Sequence, residues 1–255
     1  MNELLIASPD FNSSQMDTIK TLNFLYEKGY RISPKKAQIS LTQVKYLGFI
    51  IMEGKRMLDP QRKSLILNTL YPQTKKQLRG FLGMTGFCRI WIPNYGNLAR
   101  PLYEKLRGKE EEPLDQDETC KVAFNALKKS VTTAPALGLP NLEKPLRLYV
   151  SERIGTVLGM LGQMMGPVLQ LTAYLSKQLD EVARGWPTCL QAVAATTIMV
   201  KEASKLTLGQ ATTVYTPHQV QAVLETKGDR WMTGGRITQY QALLLDTPEI
   251  KLRVC

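Results

Sequence analysis

The imidazole and thiol side chains suited to zinc or thiolate chemistry are few: one histidine, His218, and four cysteines, Cys88, Cys120, Cys189 and Cys255. No two cysteines form a CxxC pair and one histidine cannot complete a Cys/His set, so the spacing argues against structural zinc. Free thiols in a reducing compartment are the expectation that follows. His218 has no acidic neighbour in sequence, and such a histidine reads as a capping or packing residue rather than a general base. The broader signal is cationic. Lys and Arg number 33 against 22 Asp and Glu, a net charge of +11, which suggests a polyanionic partner. Residues 1–114 carry 18 Lys and Arg against 10 Asp and Glu, and residues 115–255 carry 15 against 12. Any nucleic acid is therefore expected on the first part.

Those residues need a scaffold, and 255 residues with 44% hydrophobic content suffice for one large domain or two ordinary ones. No window reaches the roughly 18 uninterrupted apolar residues of a membrane span, and Met1 to Ile6 lack the basic opening of a signal peptide. A soluble, unsecreted, intracellular protein, cytoplasmic or nuclear and without a membrane partner, is expected.

Leu4 to Ala7 reads as a short buried strand, followed by a helix capped at Ser13-Ser14 and running to about Lys28, with Ile19, Leu22, Phe24, Leu25 and Tyr26 as its apolar face. Gly29 is the expected stop. Val44 to Ile51 reads as a strand turned at Glu53-Gly54-Lys55 into a hairpin. Helical periodicity starts at Asp59-Pro60. Thr74 suits the N-cap of a helix over Lys75 to Arg89, Pro93 ends it, and a second amphipathic segment covers Asn94 to Leu106. The run Gly108 to Pro113 is the expected domain boundary. Beyond it the pattern predicts a helix over 117–133, strands over 146–150, 156–163 and 170–176, a long helix over 189–206, a strand over 212–215, helices over 217–225 and 235–245, and a strand over 250–254. That succession is a mixed α/β pattern.

Two stretches are specific enough to point to a family. Gln77-Leu78-Arg79-Gly80-Phe81-Leu82-Gly83-Met84-Thr85-Gly86-Phe87-Cys88-Arg89-Ile90-Trp91-Ile92-Pro93-Asn94-Tyr95 closely resembles the thumb signature of gammaretroviral and related long-terminal-repeat reverse transcriptases. Thr133-Ala134-Pro135-Ala136-Leu137-Gly138-Leu139-Pro140, with Ala173 to Lys177 and Tyr240 to Thr247, resembles the connection region of the same enzymes. The resemblance follows the family's order along essentially the whole chain. It implies an α/β (α+β) fold in three parts. Residues 1–58 would be a C-terminal palm remnant with a primer-grip hairpin, 59–112 a helical thumb, and 113–255 an RNase H-like, mixed-sheet connection domain.

In that family the segment Val44 to Ile51, with Tyr46, Leu47 and Gly48 at its centre, matches the hairpin that holds the primer end. Gly48, without a Cβ, would let a nucleic-acid backbone approach closely. The thumb helix would lie along a duplex, Gly80 and Gly83 permitting close approach and Lys75, Lys76, Arg79 and Arg89 reaching phosphates. The plainer alternative for both is structural: a hairpin glycine, and a solvated basic face over Leu78, Phe81, Leu82 and Trp91.

Two-metal phosphoryl transfer needs clustered carboxylates. The paired polymerase aspartates of the family fall at Asn2 and Glu3, an unsuitable pair for octahedral Mg²⁺. The family's fingers, most of its palm and its true RNase H domain match nothing in this sequence. The acidic positions of the RNase H-like fold fall at Ser151, Gln191 and Pro217, none of them a carboxylate. The resemblance therefore implies a segment without polymerase or RNase H activity, with no cofactor expected although intact relatives use Mg²⁺. Its partner would be an RNA–DNA or DNA duplex, bound weakly and without sequence preference. A non-enzymatic module with a protein partner, or a pseudogene-like product without selected function, is the alternative.

Overall fold

The computed structural model describes residues 3–107, Leu114, 117–227 and 231–255. The chain divides into two compact units, Met1–Asp59 and Pro60–Cys255. The boundary expected at Gly108 to Pro113 lies outside the described residues.

In the first unit, helix α1 spans Phe11–Glu27. Its N-cap is Asp10 rather than the expected Ser13-Ser14: the Asp10 carboxylate accepts from the Ser13 backbone N–H at 2.9 Å and from its hydroxyl at 2.7 Å. These bonds hold the Asp10 carboxyl below its ordinary pKa. Gly29, at φ +77°, ends the helix in the left-handed conformation, and the Tyr30 N–H closes onto the Leu25 carbonyl. The residues of the predicted apolar face stay largely exposed: Ile19, Leu22, Phe24 and Tyr26 face solvent, and Leu25 is half-buried. The strand expected at Leu4 to Ala7 does not form, and Leu4 is 66% exposed. A strand needs a neighbouring ladder for its backbone groups, and none of the unit's strands pairs there.

Those strands are β1 (Gln43–Tyr46), β2 (Phe49–Met52) and β3 (Lys55–Leu58), joined as an antiparallel meander. The single strand expected over Val44 to Ile51 is broken at Leu47-Gly48, where both residues have positive φ, +49° and +78°. That is the geometry of a two-residue turn matching strand twist, so the segment forms a hairpin of its own before the predicted turn at Gly54. Gln38 covers the free edge of β1, donating to the Lys45 carbonyl at 2.7 Å and accepting its N–H at 2.8 Å.

The second unit opens with helices α2 (Pro60–Asn68), α3 (Lys75–Phe87), α4 (Tyr95–Glu104) and α5 (Glu118–Thr132). Thr74 caps α3 as predicted, accepting from the Gln77 N–H at 3.2 Å. The helix stops at Phe87, and a 3-10 turn over Arg89–Trp91 follows. Leu78, Phe81, Leu82 and Trp91 are buried, and Phe81 packs on Phe124 of α5 with ring centroids 4.3 Å apart. Burying each such side chain contributes about 1.5–3 kcal/mol.

A short strand β4 (Leu137–Gly138) leads to β5 (Leu146–Arg153), β6 (Thr156–Met165) and β7 (Val168–Gln178). Then follow α6 (Glu181–Arg184), α7 (Thr188–Thr207), β8 (Thr212–Thr216), α8 (Val220–Lys227), α9 (Gly234–Leu244) and β9 (Ile250–Val254). The five-stranded sheet runs β7-β6-β5-β8-β9, antiparallel across the first three and parallel from β5 through β9. Leu146, Leu148, Val150, Leu161 and Val214 point from one face into a core shared with Val193, Met199 and Val200 of α7. Gly159 allows that close approach, since a Cβ there would lie 2.7 Å from the Met199 sulfur. No helix among the described residues is long and apolar enough to cross a membrane.

Candidate nucleic-acid interface

In the first unit Tyr46 ends β1 and Leu47-Gly48 form the turn, with Leu47 53% exposed. The Glu3 carboxylate accepts the Leu47 N–H at 2.7 Å, so the side chain tethers the chain start to the turn. Asn2 lies outside the described residues. The positive φ of Gly48 supplies its own reason for glycine, because the turn requires the left-handed conformation whatever approaches it.

On α3 the spacing of three and four residues separates two faces. Lys75, Leu78, Phe81, Leu82 and Thr85 are buried. Lys76, Arg79, Gly80 and Gly83 face solvent. A Cβ on Gly80 or Gly83 would meet no atom within 4 Å, so the helix backbone is bare there. Lys75 departs from expectation. It is 4% exposed, and its ammonium donates to the Arg107 carbonyl at 2.9 Å, which turns it inward and away from any phosphate. Its position on the Leu78–Leu82 side of the helix is the physical reason.

Phe87 recurs with Leu78, Phe81 and Leu82 at helical spacing, yet it is 39% exposed and carries the Arg62 guanidinium 3.9 Å above its ring. Sequence reasoning missed Arg62 altogether; the recurrence of 76, 80, 83 and 87 was the signal for Phe87. Arg89, expected on the α3 face, stands instead on the 3-10 turn. It lines a groove of about 80 Å³ with Lys177 of β7 and Glu202 and Lys205 of α7. Burial alone would raise the Glu202 carboxyl, but the Lys205 hydrogen bond and the charges of Lys177, Lys205 and Arg89 hold it below its ordinary value.

The three expected RNase H-like positions do not converge. Ser151 and Pro217 share a pocket of about 170 Å³ at the ends of β5 and β8 with Glu152, Thr188, Thr196 and His218. Gln191 turns away, its amide donating to the Arg184 and Trp186 carbonyls at 2.8 and 2.9 Å. Glu152, one residue past Ser151 and unremarked in the sequence, spends its carboxylate on the Gly155 N–H at 2.5 Å.

The RNase H-like domain found in reverse transcriptase matches residues 117–214. Over 251 residues, 98% of this chain, the sequence is 48% identical to the Gag-Pol polyprotein of baboon endogenous virus (strain M7). Over 246 residues, 96% of the chain, it is 47% identical to the Gag-Pol polyprotein of gibbon ape leukemia virus. The chain is a homologue of gammaretroviral Pol. It spans 14% of the length of each of those two relatives.

Solved structures agree on the fold of this Pol homologue. The foamy viral protease-reverse transcriptase in complex with double-stranded DNA superposes with a TM-score of 0.86 at 23% identity, covering 98% of this chain and 44% of that one. The same enzyme in complex with an RNA/DNA hybrid gives 0.85 at 24% identity, covering 98% and 34%. The mixed helices and mixed sheet are those of a retroviral reverse transcriptase with its RNase H-like fold.

The side chains at the three RNase H-like positions do not fit the Mg²⁺ pair that intact relatives use. Ser151 offers a hydroxyl, Pro217 nothing, and the Gln191 amide is committed to carbonyls. No group of three or more His, Cys, Asp and Glu is gathered among the described residues. Hard divalent cations require several convergent oxygen anions, which the side chains at these three positions do not supply.

Proposed function

We propose that the chain is a retroelement-derived reverse transcriptase segment that has no phosphoryl-transfer chemistry and binds duplex nucleic acid, RNA–DNA hybrid or DNA, weakly and without sequence preference. The observation that carries this reading is the solvent face of α3, where Gly80 and Gly83 expose bare backbone about one turn apart, just beyond the exposed Lys76 and Arg79. Such a face accepts the curved surface of a minor groove at short range while cations reach the flanking phosphates. The Tyr46-Leu47-Gly48 turn of the first unit is a second, smaller contact surface. Lys75 and Arg89 drop out of the phosphate set in favour of Lys76 and Arg79.

A gel-shift titration with an RNA–DNA hybrid at several salt concentrations tests the binding. Two to three phosphate contacts give a logarithmic salt slope of about −2 to −3, since each neutralised phosphate releases close to one counterion. Absence of any shift at low salt sinks the reading. Lack of chemistry is checked by primer extension with Mg²⁺ or Mn²⁺, where template-dependent extension would overturn it.

The exposed apolar face of α1 supports a second reading, a module that docks a protein partner. A pull-down that recovers one defined protein, undiminished by charge reversal at Lys76 and Arg79, favours it.

A further inference from the structure

The five-stranded sheet has two unlike faces where β5, β8 and β9 run side by side. Leu146, Leu148, Val150 and Val214 enter the core on one of them. The alternate residues form two rows across the three strands: Arg147, Thr213 and Lys251, then Tyr149, Tyr215 and Arg253. Tyr149 and Tyr215 stack with centroids 4.7 Å apart and planes 11° from parallel, and the Arg147 guanidinium lies 5.9 Å from the Tyr215 ring. Both tyrosines are half-buried, while Lys251 and Arg253 are exposed on the edge strand. The two rows hold three cations, two aromatic rings and no carboxylate.

From this face we infer a binding site for single-stranded nucleic acid, separate from the α3 surface. Unpaired bases can extend an aromatic stack, whereas the bases of a duplex are already stacked on one another and are not offered to a tyrosine pair on a sheet surface. Arg147 places its guanidinium beside the Tyr215 ring, and Lys251 with Arg253 line the edge along which a phosphodiester backbone would run. The attraction rests on charge complementarity and π-stacking, so it carries no base preference beyond stacking strength. Arg147, Tyr149 and Tyr215 are not needed by the core, whose contacts come from the opposite face.

The test is fluorescence anisotropy with the full chain, using labelled oligothymidylate and, separately, its duplex with oligoadenylate. Tyr149→Ala and Tyr215→Ala each weaken oligothymidylate binding about tenfold, the size of one lost base–aromatic stack. Tyr215→Phe, which keeps the ring, stays within about twofold of the parent, since stacking rather than the hydroxyl does the binding. Arg253→Glu lowers both affinity and salt slope. Duplex binding is unaffected by all four.

Unchanged oligothymidylate affinity in the alanine variants, or no binding of the parent at low salt, overturns the site. So does loss of oligothymidylate binding in Lys76→Glu/Arg79→Glu, which would move the strand to α3. If either alanine variant fails to fold, Arg253→Glu on the exposed edge decides alone. A parent chain that binds oligothymidylate but shows no duplex binding sinks only the duplex reading.

Discussion

Lys75 and Arg107 are joined by a hydrogen bond of 2.9 Å from the lysine ammonium to the arginine carbonyl, tying the first turn of α3 to the chain just beyond α4. The bond is nearly shielded from water, with Lys75 4% exposed. Lys75→Met should lower stability by about 1–3 kcal/mol, the usual result of removing one charged partner from a buried hydrogen bond. Urea denaturation reads that loss. Duplex affinity per folded molecule should not change; a drop comparable with that of Lys76→Glu would return Lys75 to the interface.

Gly80 and Gly83 invite the opposite experiment. Because a Cβ at either meets no atom within 4 Å, Gly83→Ala should raise stability by about 0.5–1 kcal/mol through better helix propensity. Gly83→Leu should fold equally well yet weaken duplex binding about tenfold, as a side chain then holds the groove away from the backbone. Thermal unfolding and gel shifts on the same samples separate the two effects, and a Gly83→Leu variant that binds normally removes the bare-backbone explanation.

The Leu47-Gly48 turn should be sensitive at both ends. Gly48→Ala forces a Cβ into φ +78°, at a cost of about 1–2 kcal/mol to the hairpin. Glu3→Ala removes the acceptor of the Leu47 N–H. Amide hydrogen exchange at Leu47 should accelerate in both variants, and no change in Glu3→Ala would mean the tether is not populated in solution.

Alkaline pH offers a third handle on the second unit. Burial pushes the Cys88 thiol up from its ordinary 9.0 to about 11, against the opposing charges of Arg62 and Lys63. Above 9 the unfolded chain has lost this proton while the folded chain keeps it. The contribution is therefore fully present below pH 9 and lost as pH rises toward 11. Cys88→Ala should flatten the decline of the denaturation midpoint across that window. Thiol labelling should modify exposed Cys255 well before buried Cys88.

Leu4, Phe11, Ile19, Phe24 and Tyr26 leave the first unit with an apolar surface that its own strands do not cover. Removing residues 1–59, the whole of that unit, should raise the soluble yield and suppress concentration-dependent light scattering. Equal aggregation of the 60–255 fragment would place the liability elsewhere.

Local chemistry made much of this protein legible from its residues. Thr74 announced the start of α3, the alternation of Leu146, Leu148 and Val150 announced β5, and Ile250–Val254 was readable as a strand to the residue. The ordered motifs from Gln77 to Tyr95 and from Thr133 to Thr247 carried the family, because such strings are set by packing and turn constraints acting over neighbouring residues. That Ser151, Gln191 and Pro217 carry no carboxylate was equally plain, since residue identity is read directly from the chain.

Direction and partnership were different matters. Sequence placed Lys75 and Arg89 with Lys76 and Arg79, yet the rotation of α3 on its core buried the first, and the 3-10 turn carried the second to the groove beside Glu202. Leu4 to Ala7 had the composition of a strand but no ladder to join, because strand formation is decided by a partner that lies elsewhere in the chain. The pairing of Tyr149 with Tyr215 arose only when two strands 66 residues apart came into parallel register. Propensity and motif are properties of neighbours in sequence; exposure, tether and stack are properties of neighbours in space, which only the assembled core selects.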